Sequence, residues 1–148
     1  MKRQGCSILF VNEQRQILLF LRDDLPTIPY PNTWDVPGGH VEEAETPAQC
    51  IVREMKEEMG LDLEGVELLS VKEFSDRVEY TFWKSADLNI DTISLMEGQR
   101  LQWFSEEEAR ATTLAYGFNG TLEFGTSLPL LPSAKLPVNL EGQVRLVR

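Results

Sequence analysis

The chain of 148 residues is 42% apolar and 26% charged, which suits one globular domain long enough to bury a core. Its 24 acidic against 14 basic residues give a formal net charge of −10, which argues against a nucleic-acid polymer or an anionic membrane as partner, since both are held by clustered Lys and Arg. Cys6 and Cys50 are too few and too unpatterned for a disulfide framework or a zinc site and read as bystanders in a reduced, cytoplasmic compartment; no apolar run is long enough for a signal peptide or a membrane span.

In chain order, "CSILFVN" and "QILLFLR" are short apolar runs split by polar residues, the pattern of two paired strands. "DDLPTIPYPN" holds three prolines in ten residues and reads as a loop. "TWDVPGG" is a short extended segment, with a turn expected at Pro37, Gly38 and Gly39. Thr46, Pro47 and Gln49 then supply a capping residue, a proline at the first helical position and a capping-box partner. Gly60 suits the closing cap, so the spacing predicts a helix over 47–59. At about 100° per residue, Ala48, Ile51, Val52, Met55 and Met59 share an apolar arc, and Glu54, Glu57 and Glu58 fall in another. "GVELLSVKEFSD", "RVEYTFWKSADL" and "QRLQWFS" alternate as strands. Ser105 opens a helix with acid in its first turn, and "LAYGFNGTLEF" is read as another helix despite its glycines. Residues 1–125 are taken as the domain. Residues 126–148 are too apolar for a plain disordered tail and are expected to pack on the domain or on a partner chain. Strands on both sides of a helix imply an α/β sandwich with a mixed sheet.

The stretch "REMKEEMG" carries the chemistry. Carboxylates three and four residues apart on a helix repel, so Glu54, Glu57 and Glu58 need a reason to share a face. A solvated surface is the bland explanation. Three neighbours tell against it: the Pro37–Gly39 turn lets a backbone carbonyl approach a ligand closely, Glu45 stands just before the helix cap, and Arg53 lies one turn before Glu57. Mg²⁺ takes oxygen ligands, keeps several waters and is held by a few carboxylates together with substrate phosphates. A doubly charged ion at the centre would turn the repulsion into coordination, and the implied chemistry is phosphoryl transfer to water.

Gly39, Glu45 and "REMKEEMGL" fill every fixed position of the Nudix box at its fixed spacing, and the chain resembles MutT-like Nudix hydrolases over roughly residues 5–125. "NTWDVPGGHVEEAETPAQ" looks like their approach to the box, and "EGQRLQWFS" resembles the segment before their last strand. The resemblance implies the α/β/α Nudix sandwich and cleavage, dependent on Mg²⁺ or Mn²⁺, of a diphosphate linkage in a nucleoside diphosphate joined to another group. Carried over by position, Glu54, Glu57, Glu58 and the carbonyl of Gly38 are implied metal ligands. Glu97 matches a residue that binds metal or acts as general base in some relatives. The base is sought first at Glu54 or Glu57 and then at Glu97, because spacing alone does not choose. Arg53 is expected to orient the carboxylates and Glu45 to tie the loop to the helix, with Gly39 and Gly60 as structural members of the box. His40, Glu42 and Glu43 are set aside as non-catalytic.

Substrate contacts are less determined. Trp34, Phe74, Tyr80, Trp83 and Phe118 could stack on a base, although each reads as core when taken singly. Asn119 resembles in position an asparagine that reads the base edge in MutT-like enzymes. Arg22 and Arg77 are candidates for phosphate or base contact that surface solubility explains equally well. The leading expectation is a nucleoside triphosphate pyrophosphohydrolase giving nucleoside monophosphate and pyrophosphate. Hydrolysis of nucleotide sugars or dinucleoside polyphosphates is the second, and a non-catalytic nucleotide-binding module the third. An isoprenoid diphosphate isomerase, also known on this fold, is disfavoured because Cys6 and Cys50 are poorly placed for it. The partner expected is a small nucleotide, and the apolar tail is compatible with a homodimer.

Overall fold

The computed structural model describes residues 2–122, so the expected extension 126–148 lies outside the described residues. Seven strands form one sheet: β1 (Arg3–Val11), β2 (Ile17–Leu21), β3 (Trp34–Asp35), β4 (Gly38–His40), β5 (Glu67–Glu73), β6 (Arg77–Ser85) and β7 (Arg100–Phe104). β1 is its spine. It pairs in parallel with β6 over nine residues, from Arg3↔Arg77 to Val11↔Ser85, and antiparallel with β2 and β4. β5 flanks β6, while β3 and β7 both pair with β2. The sheet is therefore mixed, as expected, and it is covered by helices on both faces.

Strand side chains alternate between the faces, so β1 feeds two cores. Ile8 and Phe10 join Leu18, Phe82, Ile51, Met55 and Met59 under α1 (Pro47–Met59). Leu9 and Val11 join Leu19, Trp83, Phe104, Ala109 and Phe118 under α2 (Glu106–Arg110) and α3 (Phe118–Leu122). Each such buried side chain is worth about 1.5–3 kcal/mol relative to exposure, and β1 supplies both layers at once.

Four expectations change. The Pro37–Gly39 segment does not simply turn: Gly38–His40 adds as a short strand beside β1, with Gly39 opposite Cys6. "LAYGFNG" is broken into a 3-10 turn, Ala115–Gly117, and the short α3, because Tyr116 adopts a left-handed φ of 57°. On α1 the buried stripe is Cys50, Ile51, Met55 and Met59, whereas Ala48 and Val52 are exposed. The helix is rolled so that its glutamate side, not its alanine side, leans toward the sheet. Finally, Cys6 and Cys50 are not bystanders. They are joined as a disulfide from β1 to α1 across 44 residues of chain, a pairing that only the packing of α1 on the sheet makes visible.

Candidate metal and catalytic site

α1 begins as its first residues dictate. The Thr46 hydroxyl accepts from the Gln49 amide at 3.1 Å, and the Gln49 side chain accepts from the Thr46 amide at 2.9 Å, closing the capping box ahead of Pro47. The helix ends at Gly60, whose φ of 69° is left-handed and whose amide donates to the Lys56 carbonyl. Between these stops, residues 53, 54, 57 and 58 lie on the flank of the buried stripe, facing β4.

Arg53 is the hub. Its Nε and Nη2 donate to the two carboxylate oxygens of Glu45 at 2.7 and 3.0 Å, a planar two-point match that a lysine ammonium could not make. Its Nη1 donates to Glu54 at 3.1 Å and to Glu57 at 3.2 Å, and Nη2 also reaches the His40 carbonyl at 3.1 Å. One guanidinium thus ties Glu45 of the loop after β4 to Glu54 and Glu57 of α1. The Arg53 fork and the Glu42 amide pull the Glu45 carboxyl down to about 2, so this support stays charged through the whole working pH range. Arg53 itself is held further in its charged form by Glu45.

The remaining carboxylates are under-compensated. Burial raises Glu54 above the ordinary carboxylate range; Arg53 opposes the rise and Glu57 and Glu97 add to it. Burial also raises Glu58, with Glu97, Glu54 and Glu57 pushing the same way, and Glu58 has no ion pair among the described residues. Glu97 arrives from the loop before β7, which is docked on α1 by a 3.1 Å bond from the Met96 amide to the Glu58 carbonyl. Glu58, Glu97 and Gly38 line one small, open recess with Pro37, Phe20, Met55, Met59 and Leu95. Gly38 is sterically required there, and a side chain at Gly39 would displace the Glu54 carboxyl. A Cβ on Gly39 would overlap the Glu54 carboxyl, and one on Gly38 would overlap the Cys6 carbonyl.

Among the described residues no three His, Cys, Asp or Glu side chains converge tightly enough to enclose a metal ion. Mg²⁺ does not ask for such a cage, since it retains waters and takes one or two carboxylates plus substrate phosphate oxygens. The donor set here is all oxygen, negatively charged and only partly neutralised by Arg53. That chemistry fits a hard divalent cation.

A family model described as the NUDIX domain matches residues 1–122. The chain belongs to the NUDIX domain family. A Bacillus subtilis protein whose name assigns it provisionally as an 8-oxo-dGTP diphosphatase is 42% identical over 60 residues, covering 40% of this chain and 36% of that protein. A Mycobacterium tuberculosis protein with the same provisional assignment, numbered 3, is 34% identical over 94 residues, covering 58% and 43%. The chain thus spans less than half the length of these two relatives. Among solved structures, the Escherichia coli ORF135 protein is 28% identical with a TM-score of 0.68, covering 94% of this chain and 96% of that one.

Outside the box, the NUDIX domain holds its substrate candidates in internal bonds. Arg22 is not a surface charge: Nη1 pairs with Asp35 at 3.0 Å, Nε donates to the Pro29 carbonyl, and the guanidinium lies 5.3 Å from the Tyr116 ring centroid. Arg77 pairs with Glu79 at 3.1 Å, donates to the Tyr116 carbonyl at 2.9 Å and stacks on Phe74 at 4.1 Å. Asn119 ties its own loop, accepting from the Leu114 amide and donating to the Thr112 carbonyl, each at 2.7 Å. Trp34 packs edge-on against Phe104, and Trp83 and Phe118 are core. Asp35 and Glu79, both buried, escaped the sequence reading. Burial pushes Asp35 up to about 6 despite Arg22, and raises Glu79 despite Arg77. The alternation Arg77, Glu79, Thr81 along β6 was the available signal, but a polar strand face reads as solvent until Tyr116 is seen lying over it.

Proposed function

We propose that this NUDIX domain hydrolyses a diphosphate linkage in a nucleotide, with Mg²⁺ or Mn²⁺, and that a nucleoside triphosphate is its first substrate class. The observation that carries the reading is the charge imbalance on α1. Arg53 gathers Glu45, Glu54 and Glu57 on one side, while Glu58 and Glu97 face the Gly38 recess with no cation among the described residues to neutralise them. Glu54, Glu57, Glu58 and the Gly38 carbonyl are the ligands proposed, with Glu97 joining when the loop before β7 is docked. When bound, the ion supplies neutralisation of the diphosphate oxygens and a more acidic water.

The chain's own residues do the rest. Glu57 is assigned both a ligand role and the taking of a proton from an attacking water; its 56% exposed side chain, which reaches solvent, supports the second role. Glu54, with 14% of its side chain exposed, is packed under Gly39 and serves as a fixed ligand. Arg53 keeps both oriented, and Glu45 keeps Arg53 oriented. A triphosphate is placed ahead of nucleotide sugars and dinucleoside polyphosphates because the two relatives described above are provisionally assigned to one, while other relatives are named for diphosphoinositol polyphosphates and for RNA. A cytoplasmic location, where such nucleotides are abundant, goes with this reading.

The test is a panel of nucleoside triphosphates, nucleotide sugars and dinucleoside polyphosphates, assayed with Mg²⁺ and Mn²⁺. At least one should be turned over, and Glu57→Gln should lower kcat by about 10²–10⁴-fold without moving Tm, as expected for loss of a general base. Absence of turnover across the panel would sink the proposal, and turnover unaffected by Glu57→Gln would remove Glu57 from it.

A further inference from the structure

We propose that the Cys6–Cys50 pair is a redox-sensitive staple that sets how tightly the carboxylate site holds its divalent ion. This rests on the reading of Glu54, Glu57 and Glu58 as metal ligands and adds a regulation of that site.

The position of the two sulfurs carries the inference. Cys6 lies opposite Gly39 in the β1–β4 register, and its carbonyl is the surface against which Gly38 is pressed. Its backbone is therefore the floor on which the Gly38 carbonyl is presented. Cys50 stands on α1 one turn before Glu54, and its Sγ lies 3.9 Å from Nη2 of Arg53. The bond thus joins the two pieces of backbone that must keep a fixed separation for Gly38 and Glu54 to share an ion. Both residues are buried, at 2% and 0% exposure, in the core beneath α1. The sequence contains only these two cysteines, so each has the other as its sole intramolecular partner.

Reduction changes that separation. Two thiols in van der Waals contact sit roughly 1.5 Å farther apart than bonded sulfurs. A close-packed core leaves the two side chains little room to rotate apart, so part of the separation is taken up by a shift of the first turns of α1 relative to β4. The ligands follow. Formation of the staple is thiol–disulfide exchange with a low-molecular-weight disulfide, which reaches the buried sulfurs when the start of α1 opens locally. One cysteine thiolate attacks it and expels one small thiol, and the second cysteine thiolate then attacks the mixed disulfide and expels the other. The two protein thiols are oxidised and the small disulfide is reduced to two thiols, with no other reactant needed.

The experiment uses the full chain in two states, one equilibrated with oxidised glutathione and one with a dithiol, each then freed of reagent. Mass spectrometry of unreduced peptides reads the Cys6–Cys50 link, and electron paramagnetic resonance of free Mn²⁺ reads metal affinity without any substrate. The expected result is a linked peptide in the first state only, and Mn²⁺ bound about 10–100-fold more weakly in the second, the scale seen when groups supporting metal ligands are disturbed. A Cys50→Ala chain should show one affinity in both treatments. Failure to form the link would overturn the staple, as would equal Mn²⁺ affinity in the linked and reduced states, or a redox response that persists in Cys50→Ala. Absence of Mn²⁺ binding in both states would instead sink the metal reading itself, and the staple with it.

Discussion

At the scale of single residues, Asp35 shows how burial and pairing compete. Its carboxylate is 4% exposed and lies 3.0 Å from the Arg22 guanidinium, yet its pKa rises to about 6 because lost hydration outweighs the partner. A folded-state value above the unfolded one means that the native protein binds the extra proton. Stability from this group is therefore fully present below about pH 4 and lost as pH rises through about 6, an effect on the order of 2–3 kcal/mol. Carboxyl-carbon NMR should give Asp35 a midpoint near 6. In Arg22→Met the midpoint should climb further, since Arg22 is the main group holding it down; a fall would show that Arg22 acts on Asp35 by burying it and not by its charge. The glutamates of α1 could be found from spacing because the helix sets their neighbours. Asp35 and Glu79 could not, because the strand pairing and the Tyr116 loop that bury them come from elsewhere in the chain, although Arg77 stands only two residues from Glu79.

Among the elements, α1 was the most legible, since every boundary signal it uses is local: Thr46 and Gln49 at one end, Gly60 at the other. Thr46→Ala removes the hydroxyl that caps the Gln49 amide and should cost about 1 kcal/mol, read as a Tm lower by a few degrees. An unchanged Tm would mean that packing alone holds the first turn. The roll of α1 was not legible. Ala48 and Val52 are as apolar as the residues that are buried, and only the disulfide and the fit of Glu54 under Gly39 decide which flank meets the sheet. β4 was missed for a related reason. Pro37, Gly38 and Gly39 have poor strand preference, and their pairing exists because Cys6 and Ser7 offer a bare backbone against which glycine alone can lie.

For the molecule as a whole, the mixed sheet was readable from the order of elements and the helices on both faces from the family resemblance, whereas the strand order was not: nothing local says that β1 lies between β2 and β6. The acidic excess acts at this scale too. If the repulsion among Glu54, Glu57, Glu58 and Glu97 is relieved by a divalent ion, Mg²⁺ should stabilise the fold by mass action. At a concentration about 100 times its dissociation constant the gain is roughly 2.7 kcal/mol, which a domain of this size would report as a Tm higher by roughly 5–10 °C. A melting temperature flat across millimolar Mg²⁺ would count against a formed site. The parallel pairing of β1 with β6 also bears on how the chain is made. Ser7 and Thr81, hydroxyl to hydroxyl in the finished sheet, are 74 residues apart. At about 5–20 residues per second, the ribosome leaves β1 waiting for roughly 4–15 s before that neighbour emerges. During that interval "CSILFV" is an uncovered, sticky strand, so the newborn chain depends on chaperone cover or quick pairing with β2 to escape aggregation.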